Sequence, residues 1–449
     1  MNTRGCMASC APGPRIALRD LREDLMKTLH VGIDVASATA VVQLLDDRGS
    51  PLGKAWELDN TPMGAEQLQT RLIQTLQDGA YEKVKIGLEA TSYYDWHLAD
   101  YLAGSVALNP WLAEVYRLNA LRVQRFRKTV QEMDKSDRTD AAHIADFLRV
   151  GRGLPRPHLA YDRYLPIKRL TRYRCHLVDS LIRETNHLLM HLFVQCSGWA
   201  QQKPLGRSTS ATACALIEEE LCSPEKIADQ SLEELTELLV RHGKNRFPDP
   251  EKVAQRVQQA VRESYRLRPE LARSEHFILA NLVRNIRALK GSITEINEAV
   301  ADEIKQFPNT LTTLPGVGPV LSAGILAELG DIQRFAGDDA MAKMAGLVWK
   351  KHQTGKFEGE DRRLIPSANK YLRYYLVQAA NALRVHDATY RTYYESKYRE
   401  VPKHKHKRAL VLTARKLVRL VFALLKRGQI YRPVAVQPAG QEHAASHLS

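Results

Sequence analysis

Thr28-Leu29-His30-Val31-Gly32-Ile33-Asp34 decides how the first third of the chain is read. It is a short apolar run that ends in a carboxylate, the pattern of a buried strand. A second run follows at Ala40–Leu45, Asp46–Gly49 supplies turn chemistry, and a third run covers Pro51–Leu58. Three strands with short connections predict an antiparallel meander. A helical pattern over Met63–Leu76 comes next, then a strand at Val84–Glu89, a helix near Tyr94–Leu102 and a short strand at Val106–Leu108. This β-β-β-α-β-α-β order predicts an α/β domain of RNase H-like arrangement, a mixed sheet with flanking helices.

In such a sheet the first and fourth strands each offer an acid, here Asp34 and Glu89, and a later helix brings others alongside. Asp137 and Asp140 begin a predicted helix over Ser136–Leu148, and their spacing of three puts both on one helix face. Four converging carboxylates are what two-metal phosphodiester chemistry needs, and hard oxygen ligands suit Mg²⁺ or Mn²⁺ rather than zinc. Each acid also has a plain reading. Asp34 can end a strand in a turn, Glu89 can be a surface acid, and Asp137 and Asp140 can favour a helix N-terminus. Their joint occurrence on the expected elements in the expected order favours catalysis. His143, one turn past Asp140, is read as structural or exposed rather than supporting.

The rest of the chain fits a nucleic-acid partner. Its 449 residues suggest two or three domains, and 65 Lys+Arg against 51 Asp+Glu leave a net charge of +14. Six cysteines lack C-x-x-C or zinc-finger spacing, so a structural zinc site is not expected and the thiols read as reduced and cytosolic. No apolar run has membrane-spanning length. Residues 1–25 read as a disordered arm, and Met26 is an alternative start. Residues 26–150 form the catalytic domain. Within it 111–150 reads as helical and basic, and Gly151–Pro157 breaks the pattern. Residues 160–305 then carry two long helices. Leu165–Phe193 presents Leu170, Leu177, Leu181, Leu188 and Leu192, and the second presents Leu282, Ile286, Leu289, Ile293, Ile296, Val300 and Ile304 in heptad spacing. They predict an antiparallel coiled-coil arm around a variable middle, or a helical bundle. A mainly α-helical C-terminal domain follows over 306–427, and 428–449 is a tail.

Leu314-Pro315-Gly316-Val317-Gly318-Pro319 before the apolar Val320–Leu329 is a helix-hairpin-helix signature, in which glycines let backbone N–H groups approach a phosphate. Two basic stretches add to it. Arg117–Lys128 includes Arg125, Arg127 and Lys128. Arg391–Arg427 holds Lys405, Lys407 and Arg408 downstream of Tyr390, Tyr393, Tyr394 and Tyr398, a mixture suited to phosphates and base stacking.

Gly32-Ile33-Asp34, Leu88-Glu89-Ala90-Thr91, Ser136-Asp137-Arg138-Thr139-Asp140-Ala141 and the Leu314–Pro319 hairpin occur in order with Ala345-Gly346-Leu347-Val348, Gln353-Thr354-Gly355-Lys356 and Asn369-Lys370-Tyr371-Leu372-Arg373. Together they resemble the insertion-sequence transposase family numbered one hundred and ten, over about residues 26–425. The resemblance implies a RuvC-like DEDD domain joined to a C-terminal transposase domain, with Mg²⁺ or Mn²⁺ on Asp34, Glu89, Asp137 and Asp140. It implies excision and insertion of a mobile element, DNA as substrate, a noncoding guide RNA, and a serine nucleophile in the C-terminal domain. Where relatives read Gln-Ser-Gly this chain has Thr354. Thr354 is the positional equivalent, Ser367 the alternative nucleophile, and Thr354 also reads as a simple turn residue. Lys356, Lys370 and Arg373 in these motifs join Gly316 and Gly318 as expected nucleic-acid contacts. Separate domains contributing parts of one site lead us to expect a homodimer or homotetramer, in a bacterial cytoplasm at the nucleoid. The rival expectations are a RuvC-like structure-specific endonuclease and an inactive, transposase-derived nucleic-acid-binding protein.

Overall fold

The structure, a computed structural model, describes residues 26–90, 92–129, 137–349, 353–354, 357–358, 364 and 368–433. The expected arm over 1–25 lies outside them. The chain divides into two units, 1–163 and 164–449.

The first unit is built on a five-stranded sheet of β1 (Thr28–Val35), β2 (Thr39–Leu45), β3 (Trp56–Asp59), β4 (Lys83–Glu89) and β5 (Glu114–Leu118). Their order is β3-β2-β1-β4-β5. β1–β2 and β2–β3 are antiparallel, while β1–β4 and β4–β5 are parallel. The first three strands are the predicted meander, although β3 starts at Trp56 and Pro51 makes only an isolated bridge to Leu45. The expected strand at Val106–Leu108 is instead part of a 3-10 turn over Val106–Trp111. Pro110 within it has no N–H for a ladder, which disfavours a strand there. The fifth strand is Glu114–Leu118, inside a stretch read as helical, because Val115 and Tyr116 fill a place beside β4.

Period-two alternation divides this sheet's residues between two helical layers. Leu29, Val31, Ile33, Val84, Ile86 and Leu88 pack against α1 (Pro62–Asp78), through Leu68, Leu72 and Leu76, and α2 (Trp96–Gly104), through Leu98 and Leu102. The other face, with His30, Gly32 and Gly87, meets α4 (Asp137–Val150), which follows the shorter α3 (Ala120–Arg127).

His30 is 4% exposed, and its Nδ1 has no hydrogen-bond partner among the described residues. Burial, helped by Lys85 and Arg149, lowers its pKa to about 4. The unfolded chain therefore binds the extra proton first, and stability falls as pH drops from about 6.5 towards 4. Between pH 7 and pH 5 the expected loss is about 2 kcal/mol. Urea unfolding followed by tryptophan fluorescence should show it, and His30→Leu should flatten it. Equal midpoints at both pH values in the unaltered chain would overturn the assignment.

The second unit starts with α5 (Leu165–Gln195), whose partner is α11 (Pro269–Glu303). Side-chain bonds from Arg174 to Asn297 (2.6 Å), Asn285 to Glu184 (3.3 Å) and His191 to Glu275 (2.8 Å) show an antiparallel pair. The middle holds five helices, α6 (Ser197–Gln202), α7 (Ala211–Glu218), α8 (Pro224–Ala228), α9 (Leu232–Gly243) and α10 (Pro250–Arg262), around the fully buried Trp199. Cys175, Cys196, Cys214 and Cys222 are free and buried.

The C-terminal helices are α12 (Pro319–Leu329), α13 (Asp338–Ala345), α14 (Lys370–His386), α15 (Ala388–Arg399) and α16 (Lys405–Arg427). The ring of Tyr375 lies so close to Gly324 that a Cβ there would sit 2.3 Å from it, and the Tyr375 hydroxyl donates to the Thr171 carbonyl at 2.7 Å. Buried Glu328 accepts from Arg172 (2.6 and 2.9 Å) and from Asn369 (2.6 Å), locking α5, α12 and the start of α14 together. Burial opposes the Glu328 charge, but those bonds outweigh it and hold its carboxyl below the usual range. The expected tail contains an anchored residue. Tyr431 donates through its N–H to Thr313 and through its hydroxyl to Asp387 (2.9 and 2.7 Å). Among the described residues no helix is long and apolar enough to cross a membrane.

Candidate functional site

Asp34 and Glu89 sit at the carboxyl ends of neighbouring parallel strands, where the register pairs Ile33 with Leu88 and Gly32 with Gly87. Each acid follows a glycine by two residues, so each shares its glycine's face, the one that α4 covers. A Cβ on Gly32 would lie 2.0 Å from the Ala141 carbonyl and 2.4 Å from the Ala145 nitrogen. One on Gly87 would meet Leu148 at 2.8 Å. The helix backbone therefore rests directly on the strands. Arg149, at the far end of α4, acts on His30 near the start of β1. Hence α4 runs against β1, and its first turn, Asp137 to Asp140, lies towards the strand ends bearing Asp34 and Glu89.

Among the described residues no three His, Cys, Asp or Glu side chains group as a metal cluster. The side chain of Asp137 lies outside the described residues. Asp140 is ion-paired with Arg127 of α3. His143 is 8% exposed, so it is buried rather than surface-lying. The donor set nonetheless fits a hard divalent cation, with oxygen ligands from adjoining strand ends and a helix turn directed to the same end of the sheet.

The basic stretch before α4 is less free than its composition suggests. Arg117, on β5, holds the fully buried Asp95 through two bonds of 2.5 and 2.9 Å and lies over the Trp96 ring. Arg122 donates to the Gly153 carbonyl at 2.5 Å, and Arg127 is the partner of Asp140. Arg125 and Lys128 are exposed. Sequence reasoning treated these five alike because charge alone does not tell which guanidinium a buried acid will claim.

In the second unit Gly316 has φ +79°, and a Cβ there would lie 2.5 Å from His386, so its conformation and packing both require glycine. Gly318 is exposed with open space around it and caps α12. Thr354 belongs to a two-residue strand, β6 (Gln353–Thr354), paired antiparallel with β7 (Phe357–Glu358). Ser367, Gly355 and Lys356 lie outside the described residues, as does the Thr354 side chain. Lys370 is exposed. Arg373 donates to the Ala345 carbonyl at 2.9 Å, closing the end of α13. Lys405 lies over the Tyr398 ring, Lys407 is exposed, and Arg408 pairs with Glu400 at 2.9 Å.

Sequence reasoning missed two features. One is the Arg127–Asp140 pair. The other is the loop after Glu89, where Ser92 and Tyr93 both have positive φ (51° and 70°). A glycine two residues before each strand acid was the visible sign that a helix backbone lies on the strands.

Two family models match the chain. One, described as transposase and carrying the DEDD and IS110 names, covers residues 31–194. The other, transposase IS116/IS110/IS902 family, covers residues 309–395. A 44.8 kDa protein of insertion element IS116 from Streptomyces clavuligerus is 24% identical over 69% of this chain and 76% of its own length. A mini-circle protein of IS117 from Streptomyces coelicolor is 27% identical over 75% of this chain and 80% of its own. The match to a 42 kDa protein of IS900 from Mycobacterium paratuberculosis, 27% identical, spans 36% of this chain and only 41% of that protein. T. thermophilus RuvC in complex with a Holliday junction substrate aligns over 29% of this chain and 99% of its own at 15% identity. Its TM-score of 0.21 carries no argument.

Proposed function

The chain belongs to the IS110 family of transposases, and from that premise we propose that it cuts and rejoins DNA strands to move an insertion sequence. The observation that carries the reading is the end of the sheet that bears Asp34 and Glu89, towards which the first turn of α4 is directed. Asp34, Glu89, Asp137 and Asp140 would hold Mg²⁺ or Mn²⁺. A bound divalent ion would polarise the scissile phosphate and stabilise its developing charge. The carboxylates would fix where that ion sits and so where the phosphate is held. Arg127 keeps the Asp140 charge compensated when the site is not engaged.

The hydroxyl of Thr354, or of Ser367, then attacks phosphorus, and a sugar hydroxyl leaves with the proton. A sugar hydroxyl of another strand reverses the step and releases the enzyme. Gly316, Gly318, Arg125, Lys128, Lys356, Lys370, Lys405 and Lys407 would contact phosphates. A noncoding RNA would choose the sites by pairing, in a homodimer or homotetramer acting at the bacterial nucleoid. Hydrolysis without a protein nucleophile is the second reading, favoured by Thr354 standing where serine is expected, since its extra methyl hinders attack.

The test is recombination in vitro with the element's flanking RNA, comparing the unaltered chain with Thr354→Ser, Thr354→Ala and Ser367→Ala. Thr354→Ser should be as fast or up to about tenfold faster, and Thr354→Ala should lose the covalent protein–DNA adduct on denaturing gels. Loss confined to Ser367→Ala would reassign the nucleophile. Strand cleavage with no adduct in any variant would favour hydrolysis.

A further inference from the structure

A cavity of about 1050 Å³ lies between α1 and α2 of the first unit and reaches the loops that follow Asp34 and Glu89. Clefts that hold drug-sized ligands measure roughly 300–1,000 Å³, so a nucleoside fits with room to spare. Its wall includes Ser37, three residues past Asp34, and Ser92, three residues past Glu89. The Asn60 amide donates to the Ala36 carbonyl at 3.0 Å and the Tyr94 carbonyl at 3.1 Å, tying the loops after β1 and β4 to one frame.

The chemistry of the wall is distinctive. Four tyrosines line it, and all keep much of their surface in solvent: Tyr93 65%, Tyr94 48%, Tyr101 38% and Tyr161 91%. Two of them are held in left-handed backbone, Tyr93 at φ 70° and Tyr161 at φ 62°. Residues other than glycine rarely adopt such conformations, and those that do cluster at ligand sites. Other lining groups are neutral hydrogen-bonding side chains such as Gln69 and Ser105, with His97 and a single acid, Asp100. The described lining has no Lys or Arg, so the cavity does not suit a phosphate. It suits a neutral planar group that stacks on aromatic faces and presents hydrogen-bonding edges.

We propose that this cavity receives an unpaired nucleobase, taken out of the DNA stack next to the phosphate presented to Asp34 and Glu89. The proposal rests on the DNA-cutting function argued above. Stacking on exposed tyrosines repays part of the unstacking energy, and neighbouring neutral groups meet the base edge. The pocket thereby fixes which phosphate reaches the acids and favours strands already opened.

The experiment uses the full chain and oligonucleotides carrying 2-aminopurine, whose fluorescence drops when it stacks. Three probes are compared: single-stranded DNA, the same sequence as duplex, and single-stranded RNA. Tyr93→Leu/Tyr161→Leu removes two stacking faces from solvent-exposed positions, and Tyr93→Phe/Tyr161→Phe keeps them. We expect the Leu pair to weaken single-stranded DNA binding about tenfold or more and to abolish the quench. The Phe pair should retain both, and duplex affinity should not change. Quenching by the Leu pair equal to that of the unaltered chain would overturn the proposal, as would quenching confined to the RNA probe. Quenching without any strand cleavage by the unaltered chain would instead sink the function proposed above and leave the base pocket standing.

Discussion

Asp34→Asn and Glu89→Gln are each expected to slow Mg²⁺-dependent strand cleavage by about 10³-fold while leaving the fold intact. Both side chains are half-buried at strand ends, and the amides keep their shape, so the sheet and its register should survive. What is lost is one negative oxygen donor. A correctly held divalent ion contributes several kcal/mol to charge stabilisation at a phosphoryl group, and about 4 kcal/mol corresponds to a factor near 10³. Two measurements check this: the cleavage rate against Mg²⁺ concentration, and calorimetric Mn²⁺ binding, which should weaken in parallel. Rates at the unaltered level in both variants would sink the metal assignment. Weakened Mn²⁺ binding with normal rates would show that the acids hold an ion that the reaction does not need.

Gly32→Ala should be among the most damaging single changes in the first unit. Its methyl would lie 2.0 Å from the Ala141 carbonyl oxygen and 2.4 Å from the Ala145 nitrogen, both backbone atoms of α4. No rotamer change relieves a clash with backbone, so either the helix lifts off β1 or the strand bends. Overpacking of this kind costs about 3 kcal/mol. In a unit of this size that lowers the melting temperature by roughly 6–12 °C. Since α4 carries Asp137 and Asp140, cleavage should fall even at temperatures where the variant stays folded. Gly291→Ala is the control. It lies within α11 with nothing within 4 Å of the added carbon, so stability should be unchanged or slightly raised. Equal melting of Gly32→Ala and the unaltered chain would mean that α4 does not rest on β1.

The elements carried by strong periodicity were legible in advance. β1, β2, β4, α1, α4 and α5 fall within a few residues of where apolar spacing puts them, while α11 begins thirteen residues before the first residue of its heptad seam, Leu282. β5 was not legible. Glu114-Val-Tyr-Arg-Leu sits among basic residues with helical spacing, and only the place beside β4 makes it a strand. Val106–Leu108 has the composition of a strand, but Pro110 and the neighbouring turn draw it into a 3-10 coil. The partners of the basic residues were not legible for a related reason. Arg117, Arg127, Arg373 and Arg408 each have a partner within the fold, and a sequence does not state partners.

What the sequence determined by itself was the run of strands β1, β2 and β4 with the helices around them, the positions of the four acids, and a glycine two residues before each strand acid. These are local matters of side-chain type and spacing, legible wherever burial imposes a period on the chain. Only the tertiary structure decided that these glycines are the contact between strand and helix. It likewise decided that Asp140 is paired with Arg127, and that four tyrosines from the loop after β4, from α2 and from the segment after α4 line one cavity. Each of these depends on distances between residues far apart in the chain. Such distances are set by how a sheet face and a helix backbone fit together, which no pattern along the sequence encodes.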